Sequence, residues 1–420
     1  MKLLAVALLV ASASATVYFK ESFGDDWESR WTKSEWKDAK EIGEWKHTAG
    51  KYHSDAADKG IQTGQDARFY GISAKMDSVF NNKGKTLVLQ YSVKHDQDLD
   101  CGGAYLKLLE SGLDQSKFGG DSDYKVMFGP DVCGHTKRTH AILSYDGKSK
   151  DNKLENFLHK SDIKTETDSG IAHLYTMILN ADNTYEVQID GKKVQDGKIA
   201  DNWDMLHAKK IKDPKESKPK DWVDEKKIPD PEDKKPEGYD DIPKQIPDPE
   251  ASKPDDWDDE DDGEWEAPMI DNPKFKGEWK AKQIDNPKYK GEWVHPEIDN
   301  PDFKDDKELY ARCEKCEYVG FELWQVKSGT IFDDIIVTDS VEEAKKFADE
   351  TFYAKQAGEK KMKDEADAKA KKEAEEKAAA AAEEKKKKDA EEKAKKEAEE
   401  DAKEDDEDDE DDDKKKKDEL

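Results

Sequence analysis

Between residues 211 and 305 the chain repeats itself in a way that forbids both helix and central strand. Three units open with Ile211-Lys212-Asp213-Pro214, Ile228-Pro229-Asp230-Pro231 and Ile246-Pro247-Asp248-Pro249. A second trio follows, opening with Ile-Asp-Asn-Pro at Ile270, Ile284 and Ile298, each 14 residues after the last. Gly263-Glu264-Trp265 recurs at Gly277 and Gly291 with the same spacing. Of the chain's 15 prolines, 14 fall in this stretch. Proline fixes φ and donates no hydrogen bond, so such density excludes regular helix and interior strand. Each unit is also too small and too polar to bury a core of its own. Its 30 acids and 17 lysines leave a net charge of −13. Three copies of one unit followed by three of another predict a long hairpin. The first trio runs out and the second runs back beside it, with the turn near residues 258–265. A disordered acidic linker would need no such register.

The flanking sequence has a different character. Period-two patterns recur at residues 86–93, 105–109, 173–179 and 184–189, the last running into Asp190-Gly191, a hairpin-turn signal. Many short strands with few helical windows predict a mainly β protein, a β-sandwich. Residues 321–326 and 330–337 are again apolar and β-branched. The simplest topology inserts the hairpin into one loop of the sandwich and lets these last strands complete it. The expected segments are a leader at 1–15, a globular domain at 16–205, a proline-rich arm at 206–305, closing strands and a helix at 306–356, and a charged tail at 357–420.

Charge narrows the partners. Charged residues make up 41% of the chain and its net charge is −30. Such a surface repels phosphate backbones, which argues against nucleic acid and for cations. Met1-Lys2, an apolar run at 3–10 and Ala13-Ser14-Ala15 read as a secretory signal too short to span a bilayer. Lys417-Asp418-Glu419-Leu420 reads as a retrieval signal for a receptor of the endoplasmic reticulum (ER). Together they predict a soluble, monomeric protein of the ER lumen with no membrane span. Residues 357–420 hold 28 acids and 19 lysines, a net of −9. Pairs such as Glu383/Lys387 and Glu384/Lys388 have helical spacing, so a solvated helix is expected through Ala402. It has no apolar stripe and hence no face to dock. Residues 404–413 are ten acids in a row.

Four cysteines remain: Cys101, Cys133, Cys313 and Cys316. In an oxidising lumen they pair, and several pairings are open. A Cys101–Cys133 bond would be worth about 3–4.7 kcal/mol in the chain-entropy model. Cys313-Glu314-Lys315-Cys316 has redox spacing but no βαβ context, which favours a small local disulfide. Two tempting motifs fail. The acidic run beginning at Asp258 has Met269 where an EF-hand loop needs a bidentate Glu. Glu297-Ile298-Asp299 has the look of a glycosidase carboxylate pair. However, the equivalent repeats carry Met269 and Gln283 in place of Glu297, so the acid belongs to a structural repeat. No catalytic residues are assigned, and an enzyme is not expected.

Longer strings identify a resemblance. Val17-Tyr18-Phe19-Lys20-Glu21, Asp66-Ala67-Arg68-Phe69-Tyr70, Lys94-His95 and Asp100-Cys101-Gly102-Gly103 occur in that order. Met127-Phe128-Gly129-Pro130-Asp131-Val132-Cys133, the Ile-Asp-Asn-Pro repeats and the run from Leu323-Trp324-Gln325 to Ile331-Phe332-Asp333 follow. Over its whole length the chain resembles the calreticulin/calnexin family of ER lectin chaperones. The resemblance implies a legume-lectin-like (concanavalin A-like) jelly-roll sandwich, an inserted proline-rich arm and a helical or disordered acidic tail. It implies binding of monoglucosylated N-glycans on unfolded glycoproteins at Tyr105, Lys107, Tyr124, Asp131 and Glu322, with Met127 and Trp324 beside them. Tyr105 and Lys107, two apart on a strand, share a face, as do Glu322 and Trp324. Flat rings and polar groups together suit a sugar. The family usually has Asp at the position of Glu322, which here reaches one methylene further. A tight structural Ca²⁺ site is implied at the backbone carbonyls of Ser22, Ala57 and Lys59 with the Asp333 carboxylate. A disulfide isomerase relative (a PDI-family thiol oxidoreductase) is implied to dock at the arm's tip through Asp262, Glu264 and Trp265. Weak multiple Ca²⁺ sites are expected on the tail, concentrated on residues 404–413 because lysines neutralise much of the rest. The rival readings are a calcium store with a vestigial sandwich and, more remotely, a glycosidase.

Overall fold

The computed structural model describes residues 15–415 apart from 256 and 258–262, with side chains as far as residue 395. Residues 1–14 of the expected leader at 1–15, the retrieval signal at 417–420, Asp262 and the side chains of the ten-acid run lie outside the described residues. The chain divides into two units, one running up to His207 and resuming at Lys304, the other being Ala208–Phe303.

The first unit is the expected antiparallel sandwich. Its strands alternate: Leu106 and Leu108 enter the core while Lys107 between them does not. One sheet has the order Lys192–Lys198, Thr184–Ile189, Ala172–Leu179, Leu87–His95, Thr330–Thr338, Gly60–Thr63, Trp45–Thr48, and Val17–Glu21 also pairs with Thr330–Thr338. The other runs Glu155–Leu158, Thr136–Tyr145, Val126–Cys133, then Cys101–Gly103 and Leu106–Glu110 in succession, then Cys316–Gln325, Arg68–Phe80 and Trp31–Lys33. The sheets meet through aromatic rings, with Phe321 and Phe332 4.2 Å apart at their centroids. Tyr91 crosses the core, its hydroxyl 2.8 Å from the carbonyl oxygens of both Ala104 and Phe128. The opposing strand clears that hydroxyl only at Gly129, whose φ is +131° and whose added Cβ would fall 1.7 Å from it. At the expected hairpin, Asp190 and Gly191 both have positive φ (52° and 69°), as a tight turn between twisted strands requires.

A helix, Val341–Glu350, covers the first sheet. Ser340 caps it by accepting the Glu343 N–H at 3.2 Å. Ala344 and Phe347 pack on Val88, Ile178 and Ile336, while Ala348 and Phe352 pack on Ala172 and Leu174. A second helix, Phe352–Lys415, continues well past Ala402. The expected pairs Glu383–Lys387 and Glu384–Lys388 form at 3.0 and 2.7 Å. One expectation is corrected: residues 357 onward do dock at their start. The contact is charge rather than an apolar stripe, with Glu359 buried and 2.8 Å from Lys94 Nζ.

The second unit is a hairpin held without a core. Lys210–Lys212 pairs with Glu297–Asp299, Lys227–Pro229 with Gln283–Asp285, and Gln245–Pro247 with Met269–Asp271, each antiparallel. Isoleucine faces isoleucine in all three: Ile211 and Ile298, Ile228 and Ile284, Ile246 and Ile270. Side chains replace the hydrogen bonds that proline removes. Asn272, Asn286 and Asn300 each donate from Nδ2 to a carbonyl of the facing strand region (Pro243, Glu225 and Ala208; 2.8, 3.0 and 2.8 Å). Each also accepts, at Oδ1, a backbone N–H two residues on at 3.0 Å. Asp213, Asp230 and Asp248 make the matching turns, accepting the N–H two residues ahead at 2.9 Å. The indole N–H of Trp222 reaches the Gly291 carbonyl at 2.8 Å. Glu297 and Asp299 stand opposite Lys212 and Lys210 in the ladder, which places them in cross-strand charge pairs.

Two outcomes are expected. His95 is buried, and burial first, then His173, pull its pKa from 6.5 down to about 4. Between those values the unfolded chain binds the extra proton, so stability falls as pH drops from about 6.5 to about 4, by at most about 3 kcal/mol. Urea midpoints measured across that range are expected to show a shallower slope in His95→Gln. In the hairpin, Asn286→Ala is expected to cost about 1 kcal/mol per lost bond locally. Amide exchange should speed up in the strands Lys227–Pro229 and Gln283–Asp285 and stay unchanged in the sandwich.

Candidate functional site

The alternation that buries Leu106 and Leu108 turns Lys107 to the opposite face of the second sheet, while Tyr105 stands just before that strand and packs partly against the core. Likewise Phe321 and Leu323 enter the core, and Glu322 and Trp324 do not. The register puts Lys107 beside Met127 on one neighbouring strand and Gly320, two before Glu322, on the other. Three adjacent strands thus bring Lys107, Met127 and Glu322 together. Lys107 is 3% exposed; its ammonium lies 2.7 Å from Glu322 Oε2 and 4.9 Å over the Tyr124 ring. Its charge is therefore fixed in place, desolvated and paired. Glutamate, rather than the aspartate usual in the family, makes this ion pair here.

Tyr105 lies against the backbone, where a Cβ on Gly103 would come within 2.4 Å of its ring. On its other side it stacks on His140 (6.0 Å, 25° between planes). His140 Nε2 is 3.4 Å from Asp131 Oδ2 and accepts from Arg138 Nε at 3.0 Å. Burial above all, then the Arg138 charge, hold His140 below its ordinary pKa against the pull of Asp131. Burial first, then the Glu322 carboxylate, push Tyr124 up to about 12 and raise Tyr105 as well. Both phenols therefore stay protonated and both donate and accept. Trp324, 39% exposed, is tilted against Phe69 at 4.6 Å, and Phe69 meets Trp36 edge-on at 5.4 Å. His140, Phe69 and Trp36 were missed in the sequence. The period-two register of Thr136–Tyr145 against Val126–Cys133, which sets His140 across from Gly129, is the only signal that points to any of them.

The Cys101–Cys133 disulfide joins facing residues of adjacent strands at the edge of this face. Cys313–Cys316 forms the local disulfide, fully buried and away from solvent chemistry. At the far end of the hairpin, Glu264 is exposed and Trp265 half-buried.

The residues proposed for Ca²⁺ lie at the first sheet. The pairings of Glu21 with Ile335 and of Ile61 with Phe332 bring the segments carrying Ser22 and Lys59 to either side of Asp333-Asp334. The ladder is bulged there, and Asp334 has a φ of +51°. Glu21 fixes the Ser22–Phe23 backbone by accepting both N–H groups, at 3.0 and 2.8 Å. Asp58, which follows Ala57, reaches the same point as Asp333 and Asp334 through Lys355. Among the described residues no group of three or more His, Cys, Asp or Glu side chains is arranged to hold a metal by itself. A site here needs backbone carbonyls around one carboxylate, a hard-oxygen donor set that fits Ca²⁺. Burial first, then the charge of Asp334, push the Asp333 carboxyl well above its usual range, against the pull of the Lys355 ammonium 2.7 Å away.

Comparison with known proteins decides the kinship. The calreticulin family model matches residues 19–263 and 260–337. The chain belongs to the calreticulin family. A calreticulin of Dictyostelium discoideum is 56% identical over 358 residues, covering 85% of this chain and 82% of that protein. A calreticulin of Caenorhabditis elegans is 53% identical over 369 residues, covering 87% of this chain and 90% of that one. The globular domain of T. cruzi calreticulin superposes with a TM-score of 0.59 at 30% identity, over 84% of this chain and 99% of that domain. Membership places the chain with calcium-binding lectin chaperones and not with enzymes. Among the described residues no helix is long and apolar enough to cross a membrane.

Proposed function

We propose that this chain is a chaperone of the ER lumen that holds unfolded glycoproteins by the terminal glucose of a monoglucosylated N-glycan. The observation that carries the reading is the gathering of Lys107, Met127 and Glu322 on one face across three adjacent strands, with the Tyr124 ring under the Lys107 ammonium and with Tyr105 and Asp131 both against His140. The phenol rings offer flat surface to the C–H face of a hexose. The Lys107–Glu322 pair, the Asp131 carboxylate and the two phenol hydroxyls offer fixed donors and acceptors to its hydroxyls. Trp324 extends the apolar surface beside them. Nothing in this reading needs a nucleophile or a general acid; the site grips and releases.

The hairpin's tip, with Asp262, Glu264 and Trp265, would recruit a PDI-family thiol oxidoreductase to the held client. One Ca²⁺ would be held by the carbonyls of Ser22, Ala57 and Lys59 and the carboxylate of Asp333, tying three segments of the first sheet together. Further Ca²⁺ would bind weakly and in number along residues 404–413. Lys417-Asp418-Glu419-Leu420 would return the protein to the ER through its receptor.

A glycan array with monoglucosylated and non-glucosylated forms tests the reading. Selective retention of the glucosylated form is expected, with Tyr105→Phe weakening it about tenfold, the worth of one hydrogen bond to a fixed donor. Equal retention of both forms, or indifference to Tyr105→Phe, would leave a calcium store as the better account. For the tail, a chain ending before Glu404 is expected to lose most of its weak Ca²⁺ capacity in equilibrium dialysis. Unchanged capacity would move those sites elsewhere.

A further inference from the structure

The long helix begins by burying charge. Lys355 stands in its first turn, 13% exposed at its side chain. Its ammonium lies 2.7 Å from Asp333 Oδ2, 2.8 Å from Asp58 Oδ2 and 3.1 Å from Asp334 Oδ2. Four residues on, along the same helix face, Glu359 takes Lys94 Nζ at 2.8 Å and the Ala172 N–H at 3.3 Å. Lys94 Nζ also donates to the carbonyls of Ala49 and Tyr52. Between them Gly358 passes so close to Ser54 that an added Cβ would fall 2.3 Å from its hydroxyl. The first turns of the helix are thus fastened to the first sheet largely by a lysine and a glutamate at i and i+4.

Asp333 has one oxygen committed to the Asp334 N–H at 2.8 Å and the other to Lys355. It is also the one carboxylate of the proposed Ca²⁺ site, so a divalent ion coordinated at about 2.3–2.6 Å would meet the ammonium across a shared oxygen. Two positive charges that close, in a buried setting, do not coexist. We infer that Lys355 is a built-in counter-cation of the Asp58, Asp333 and Asp334 carboxylates, that Ca²⁺ must displace it, and that ion binding therefore opposes docking of the helix's first turns. Linkage makes the effect reciprocal: Ca²⁺ loosens the helix start, and loosening the helix start tightens Ca²⁺. The inference rests on the reading of Asp333 as a Ca²⁺ ligand given above.

Calorimetric Ca²⁺ titration of the full chain, together with amide exchange, tests it. Lys355→Met keeps the stem and removes the charge; it is expected to bind the tight ion at least about tenfold better, a gain of about 1.4 kcal/mol. Glu359→Gln, which leaves Asp333 untouched, is expected to shift affinity in the same direction by less. In the unaltered chain, Ca²⁺ is expected to speed exchange of amides at residues 352–362. Asp333→Asn serves as the reference and should abolish the tight phase. If it does so while Lys355→Met binds no better than the unaltered chain, the competition is overturned and the ion site stands. If exchange at 352–362 is unchanged or slowed by Ca²⁺, the competition is likewise overturned, whether or not Lys355→Met folds. If Asp333→Asn keeps the tight phase, the ion site itself is elsewhere and both readings fall.

Discussion

Each sheet of the sandwich has near its middle a strand that the chain supplies only after the proline-rich insertion. Thr330–Thr338 pairs with strands from three earlier stretches, and Cys316–Gln325 lies between Leu106–Glu110 and Arg68–Phe80. Without them the apolar faces of the early strands have no partner, and Phe321 and Phe332 are missing from the point where the sheets meet. Closure of the core is therefore non-local, of the kind that costs loop entropy before it gains contacts. Glu322 and Asp333 ride on those same two strands. The proposed sugar face and the proposed cation region come into being in the same step that completes the fold.

Charge is used in the sandwich in a way that a surface count would not suggest. With a net charge of −30, most ionic contacts are exposed and worth little. Three lysines differ because their pairings are buried: Lys107 with Glu322, Lys94 with Glu359, and Lys355 with Asp333 and Asp334. Breaking one leaves a desolvated charge alone, which is costly, although the intact pair need not be strongly stabilising. Their value is positional. The first fixes a lysine within the proposed sugar face, and the other two hold a helix that has little apolar surface beyond its first turn.

The hairpin solves a different problem. It has no core, and its isoleucines, four half-buried and two exposed, face each other across short ladders. The recurring Asn and Asp residues close the backbone hydrogen bonds that proline leaves open, one set per unit. Such a structure adds stability unit by unit, as stacked repeats do, so each unit keeps the same residues for the same local reason.

Much of this was written in the sequence, where local rules suffice. The 14-residue spacing of Ile-Asp-Asn-Pro fixed an outgoing and a returning strand, because proline and Asx turns act within a few residues. Period-two alternation marked the sandwich strands and set Glu322 with Trp324, because pleating alone decides which neighbours share a face, whereas Tyr105 falls just outside its expected strand. What alternation does not carry is which strands lie side by side. Only the folded sheets set His140 on Tyr105, Phe69 on Trp324 and Glu322 on Lys107. The tail shows the same division: its helical charge spacing was legible, whereas the docking of Lys355 and Glu359 was not. Each depends on a buried partner hundreds of residues away or on the opposite charge of another element, and only tertiary closure creates that low-dielectric neighbourhood.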